Sequence, residues 1–289
     1  MTVQPFELDL PVRDGVPAAR RVVRGRVHLP DRGTGPWPYV VLVHGYLAFM
    51  DWAFIPTLVE RLRGAGLAAV AFNLSGSGVG ADLADFTDPV GFAHNTYEQE
   101  LEDLAAVASA VERGALGPLD LSAGGLWGHS RGSAMAVLHA DRRQAAGRRP
   151  YRSLVTWASA AHVGRYEPAR LEEWRANGFL WVQLADGRRL RLERDLLDDF
   201  DGAPARLDVL RAAGRLDLPV LLVQGARDRS VREDEARALE AAYPAGRASV
   251  HVVPGAGHNF AARHPLDEIR PPLEEALSVT VDHFRRTLA

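Results

Sequence analysis

Apolar residues in this chain come in short runs, and the runs differ in period. Residues 22–29 read VVRGRVHL, where apolar and polar positions alternate after the paired valines; this predicts a strand with one solvated face. Residues 6–10 read the same way. By contrast YVVLV (39–43), LAAVAFN (67–73), GGLWG (124–128), SLVTWA (153–158), PVLLVQ (219–224) and ASVHVV (248–253) are nearly unbroken, which suits strands covered on both faces. Between them the apolar spacing lengthens to that of helices. These are expected at 53–64, stopped near Gly64 and Gly66; to about Arg113, opened by Thr96 and Gln99 as a capping box; over 130–146; over 232–243; and over about 267–287.

Alternating strands and helices predict the α/β class, a mostly parallel sheet flanked by helices. In such sheets, sites form beyond the carboxyl ends of the strands. Residues 162–214 break the alternation. Pro168 to Asn177 reads as a helix closed by Gly178, FLWVQLADGRRLRLE as a hairpin turning at Asp186-Gly187, and two short helices follow. The expected organisation is a core of 1–161 and 215–289 with 162–214 as a small cap insertion.

Composition removes several classes of chemistry. The chain has 289 residues, no cysteine and a formal net charge of −3. Cysteine nucleophiles, disulfides and cysteine metal sites are excluded, and nothing favours nucleic acid or an anionic membrane. All 34 lysine-or-arginine positions are arginine, so no lysine is available as a base or Schiff-base residue. The N-terminal residues lack the pattern of a secretory signal, and no apolar run approaches the roughly 20 residues of a membrane span. A cytoplasmic protein, monomer or homodimer, is expected. No HExxH or paired-ligand spacing is present, so no metal is expected.

One short stretch carries the chemistry. Residues 126–134 read LWGHSRGSA, matching G-x-S-x-G at a strand-to-helix boundary. The pattern is weak alone, but its context fits. A sharp turn there lifts Ser130 clear of the backbone at a helix N-terminus, and side chains two positions either side would collide, hence Gly128 and Gly132. A serine hydroxyl needs a base, and the base an orienting carboxylate. The order for this turn is Ser, then acid, then His. Strand 219–224 leads into Asp228, and strand 248–253 leads into His258. His264 is the rival base; His251 and His283 lie inside regular elements and read as structural. The backbone N–H of Arg131 and one from the loop HGYLAFMDW would hold an oxyanion.

Together these residues resemble the α/β-hydrolase superfamily across nearly the whole chain, most closely the dienelactone-hydrolase-like and serine-aminopeptidase-like proteins, many known only as esterases. The resemblance implies the α/β-hydrolase fold, a serine hydrolase with no cofactor, and Tyr46 as the second oxyanion donor. Dienelactone hydrolases proper use cysteine and dehalogenases aspartate; Ser130 fits neither.

Around this centre, Phe49, Met50, Trp52, Asn73, His94 and Trp181 are candidates to line a substrate pocket, with His44 and His129 behind the site rather than carrying protons. Asp51 reads as a tie for its loop, and Asn95 as part of a helix cap. Trp174 and Phe179 either face the pocket or hold the cap. FNLSGSGVG (72–80) lacks dinucleotide-loop spacing. The reading is hydrolysis of a small or medium carboxylic ester through an acyl-enzyme, with a small molecule as the only expected partner. A serine peptidase, with Glu172-Glu173 holding a substrate ammonium, is one alternative; a non-catalytic binding protein of the same fold is the other.

Overall fold

A computed structural model describes residues 2–17 and 20–288. The chain opens with β1 (Val3–Leu10) and β2 (Arg21–His28), then β3 (Trp37–Val43), α1 (Ile55–Gly64) and β4 (Ala68–Asn73). Next come α2 (Pro89–Ala93), α3 (Tyr97–Glu112), β5 (Leu119–His129), α4 (Arg131–Ala145) and β6 (Ser153–Trp157). An insertion follows: α5 (Pro168–Asn177), the hairpin β7 (Phe179–Gln183) and β8 (Arg189–Glu193), α6 (Asp195–Gly202), a 3₁₀ turn (Pro204–Leu207) and α7 (Val209–Ala213). The chain closes with β9 (Val220–Gly225), α8 (Glu233–Ala242), β10 (Ala248–Val253) and α9 (Pro271–Leu288).

Eight strands form one sheet in the order β1-β2-β4-β3-β5-β6-β9-β10. β4, β3, β5, β6, β9 and β10 pair in parallel, and β2 is antiparallel to both its neighbours. The unbroken apolar runs have the expected cause. In β3, Tyr39, Val41 and Val43 enter the core under α3 and α4, while Val40 and Leu42 enter the core under α1 and α9. Each face buries alternate residues, so no position is left for a polar side chain.

The insertion shares the first of these cores. Trp174, Leu180, Leu192, Leu196 and Leu197 are buried continuously with it. In the hairpin, Leu180 and Val182 alternate inward while Phe179 and Trp181 face out, as the period of two requires. α7 packs with the sheet-flanking helices α4 and α8. Among the described residues, no helix is long and apolar enough to cross a membrane.

Sequence and structure differ at element ends. α1 begins at Ile55 rather than 53, because Ala53 takes φ 44° in a turn. β5 begins at Leu119, five residues before the glycine pair. α9 begins at Pro271 rather than near 267, and Arg270 is paired locally with Asp267. Between β4 and α3 lies α2, which the expected elements do not include and whose first turn is capped when Gly91 N–H donates to Asp88.

Candidate active site

Ser130 sits between β5 and α4 with φ 55° and ψ −122°, the strained geometry expected of the turn. Its N–H donates to the Trp157 carbonyl at 2.9 Å. The Ser133 N–H and hydroxyl donate to its carbonyl at 2.9 and 2.6 Å. The glycines are explained by contact. A Cβ at Gly128 would lie 2.4 Å from the Gly132 carbonyl oxygen, and one at Gly132 would lie 2.4 Å from the carbonyl oxygens of both Val43 and His44. The turn, the helix and the end of β3 therefore touch through bare backbone.

Two further loops meet this turn. Asp228 follows β9 and His258 follows β10. The loops lean on each other: Arg227 N–H donates to the Ala256 carbonyl at 2.8 Å, and a Cβ at Gly225 would lie 2.7 Å from the Ala256 and Gly257 carbonyl oxygens. His258 Nδ1 is 2.8 Å from Asp228 Oδ2, and His258 Nε2 is 3.0 Å from Ser130 Oγ. An ionised carboxylate can only accept, so Nδ1 carries the proton and Nε2 accepts from the serine hydroxyl. The imidazole keeps 25% of its side-chain exposure while the carboxylate keeps none.

Asp228 is buried and yet charged. Burial pushes its carboxyl up, but the bond and charge of His258 and the N–H groups of Val231 and Ser230, at 3.0 and 2.8 Å, outweigh it and hold the group below its ordinary value. Gln224, on β9, braces the same loop by donating to the Val231 carbonyl at 2.8 Å. Sequence reading passes over Gln224, since a polar residue ending an apolar strand carries no signal of its partner.

The other histidines hold backbone. His44 Nε2 accepts from Leu74 N–H at 3.1 Å and Nδ1 donates to the Gly45 carbonyl at 2.9 Å; burial lowers its pKa to about 4 against that last bond. His129 Nε2 donates to the His258 carbonyl at 3.1 Å; burial, then the nearby His258, lowers its pKa to about 3. Both imidazoles are neutral supports. His264, the rival base, accepts from Ala53 N–H at 3.0 Å and stacks on Trp52. The N–H of Arg131 opens α4, where helical N–H groups have no acceptor within the helix. Tyr46 lies on the loop after β3, where Gly45 packs 3.3 Å (as an added Cβ) from the Ser130 Cβ.

Several pocket candidates are spent elsewhere. Asn73 accepts from Met50 N–H at 2.7 Å and donates to the Leu83 carbonyl, so its carboxamide joins two loops. Met50 is buried in the core under α1. His94 closes α2 and pairs with Asp195 at 3.0 Å, beside Arg13, under the insertion rather than against Ser130. Trp181 is 45% exposed on the outer face of its hairpin. Phe49 packs on Phe86 and His264, and Trp52 stacks between His129 and His264. Asp51 pairs with Arg26 at 2.7 Å, fixing its loop to β2. Asn95 donates to Glu100 at 2.7 Å, and the cap of α3 is Thr96. Trp174 is fully buried, whereas Glu172 and Glu173 are exposed. The loop 72–80 is pinned by Ser75, bonded through N–H and hydroxyl to Asp103. Among the described residues, no cluster of three or more His, Cys, Asp or Glu is placed to hold a metal ion.

Known proteins share this arrangement of the chain. The model of the Alpha/beta hydrolase family matches residues 40–271. A protein from Agrobacterium vitis S4, provisionally described as a hydrolase, superposes with a TM-score of 0.75 at 18% identity, covering 100% of both chains. The esterase domain of a Rhodothermus marinus protein gives 0.62 at 18%, covering 99% of this chain and 100% of that one. A monoacylglycerol lipase from Paleococcus ferrophilus gives 0.65 at 17%, with coverage of 99% and 100%. No curated protein matches the chain.

Proposed function

The chain belongs to the Alpha/beta hydrolase family, and on that premise we propose that it hydrolyses a small or medium carboxylic ester through an acyl-enzyme formed on Ser130. The observation that carries the reading is the continuous chain of hydrogen bonds from Asp228 through His258 to the Ser130 hydroxyl, 2.8 and 3.0 Å long.

His258 Nε2 takes the Ser130 proton as Oγ attacks the ester carbonyl carbon. Negative charge grows on the carbonyl oxygen, and the N–H groups of Arg131 and Tyr46 receive it at the helix N-terminus. Asp228 holds the tautomer with Nε2 free and stabilises the imidazolium. The carbonyl re-forms, the alkoxide leaves and takes the proton from His258 Nε2. Water then repeats the sequence: His258 removes its proton, the oxygen attacks the acyl carbon, and Ser130 departs with the proton returned. Every proton passes through Nε2, which is unprotonated at the start and at the end of the cycle, so the steps need no cofactor.

Esters are preferred to peptides because the acidic pair offered for an ammonium, Glu172 and Glu173, is solvated on α5. The neighbours named as esterase and monoacylglycerol lipase agree in reaction class. The test is turnover of a panel of p-nitrophenyl esters beside aminoacyl anilides. Esters are expected to turn over and anilides not; anilide turnover alone would replace the ester reading with a peptidase, and no turnover of either would favour a binding protein.

A further inference from the structure

The residue after Ser130 has a side chain that the steps above leave unused. Arg131 retains 12% side-chain exposure, and a guanidinium taken out of water must be paired or stacked. It is both. Nη1 donates to Glu100 Oε1 at 3.3 Å, and Nη2 donates to the Tyr166 hydroxyl at 3.2 Å. Its Cζ lies 4.0 Å from the centre of the Tyr46 ring and 5.2 Å from that of Tyr97. Glu100 is itself 2% exposed and held by the Asn95 carboxamide at 2.7 Å.

The identity of these partners matters. Arg131 supplies one oxyanion N–H from its own backbone, and its side chain rests on Tyr46, which supplies the other. Glu100 anchors it to α3, and Tyr166 to the segment entering the insertion. A single side chain thus joins the turn at Ser130, the loop after β3, a helix and the insertion. Cation–ring contact is favourable where water is excluded, and it bears on the very residue whose N–H must be placed.

We infer that the Arg131 side chain is a positioning residue: braced by Glu100 and Tyr166 and stacked on Tyr46, it sets the spacing of the two N–H groups that receive the oxyanion and couples that spacing to the insertion. The inference rests on the proposed acyl-enzyme mechanism. Displacement of a reacting group by an ångström costs up to about 10²-fold, and loss of one oxyanion donor about 10²–10³-fold.

Arg131→Met keeps the aliphatic stem and removes the charge, the stack and both hydrogen bonds. For a p-nitrophenyl ester, kcat is expected to fall about 10–100-fold with KM within about threefold, because the two N–H groups that lose their placement bond the oxyanion, which forms only towards the transition state. Binding of a trifluoromethyl ketone, which forms a serine-linked oxyanion, should weaken by the same factor, and Arg131→Lys, retaining a cation over Tyr46, should recover part of both losses. A kcat within about threefold of wild type at equal folded fraction, or a raised KM with kcat unchanged, overturns the inference. If Arg131→Met does not fold, Glu100→Gln decides: it keeps the shape and removes the anchoring charge, and kcat and ketone binding should fall together, whereas wild-type values overturn the inference. Failure of the acyl-enzyme mechanism itself looks different, since wild type would not bind the ketone and Ser130→Ala would keep its activity.

Discussion

At Ser130 the backbone is strained, and the proposed role as nucleophile accounts for that strain. A non-glycine residue at φ 55° is strained by about 1–3 kcal/mol, and the surrounding contacts hold it there. Ser130→Ala keeps the turn and removes the hydroxyl; turnover is expected to drop by on the order of 10⁴ or more, with His258→Ala equally severe and the thermal midpoint little changed. His264→Gln separates the two histidines: its ring supports Ala53, so a loss of less than about tenfold is expected, and a loss matching that of His258→Ala in the same steady-state assay would exchange their roles. Ser130, Asp228 and His258 were legible because each lies just past a strand end in the required chain order. Glu100 and Tyr166 were not. Glu100 reads as an acidic residue in the first turn of a helix, and nothing in its spacing tells that it faces a guanidinium 31 residues away.

Elements meet here through glycine. The elbow presses on β3 so closely that Gly132→Ala would drive a methyl against two carbonyl oxygens at 2.4 Å. Neither oxygen can rotate away, so the turn must shift; stability should fall by about 1–3 kcal/mol in urea unfolding, and kcat should fall with it because the loop carrying Tyr46 moves too. Gly64→Ala, at the end of α1 where an added Cβ meets nothing within 4 Å, should instead be neutral or stabilising by up to about 1 kcal/mol. Strands and long helices were legible because their period is set by burial on one or both sheet faces. The ends were less so: Ala53 leaves the helix through a positive φ that no residue preference announces. Pocket walls were least legible. Asn73, at the end of β4, and His94, at the end of α2, have the right chemistry, but a loop N–H claims the first and the Asp195 carboxylate of α6 the second.

The molecule as a whole carries a set of buried neutral histidines. Burial lowers His44 and His283 to about 4 and His129 and His139 to about 3. In the unfolded chain they titrate near the ordinary value of about 6.5. Between about pH 6.5 and 4 the unfolded state therefore binds more protons, and stability falls as pH falls, each histidine contributing at most about 1.4 kcal/mol per pH unit. Asp103, raised to about 6 by burial against the pull of Arg21, and Glu100, raised by burial against that of Arg131, act in the opposite sense, because they bind protons first in the folded state. His28 and His264, lowered by burial, and Asp228, held below its ordinary value by His258 against burial, act with these four histidines, so urea midpoints should decline from pH 7 to pH 4; a flat or rising series would mean that the imidazoles are not held neutral. The most direct measurement of the central claim is covalent: wild-type protein treated with a fluorophosphonate, digested and sequenced by mass spectrometry. One adduct is expected, on Ser130 within the peptide that spans the turn, and it should vanish in Ser130→Ala and slow strongly in His258→Ala. Folded wild type left unlabelled, or labelled at another residue with Ser130 bare, would contradict the account.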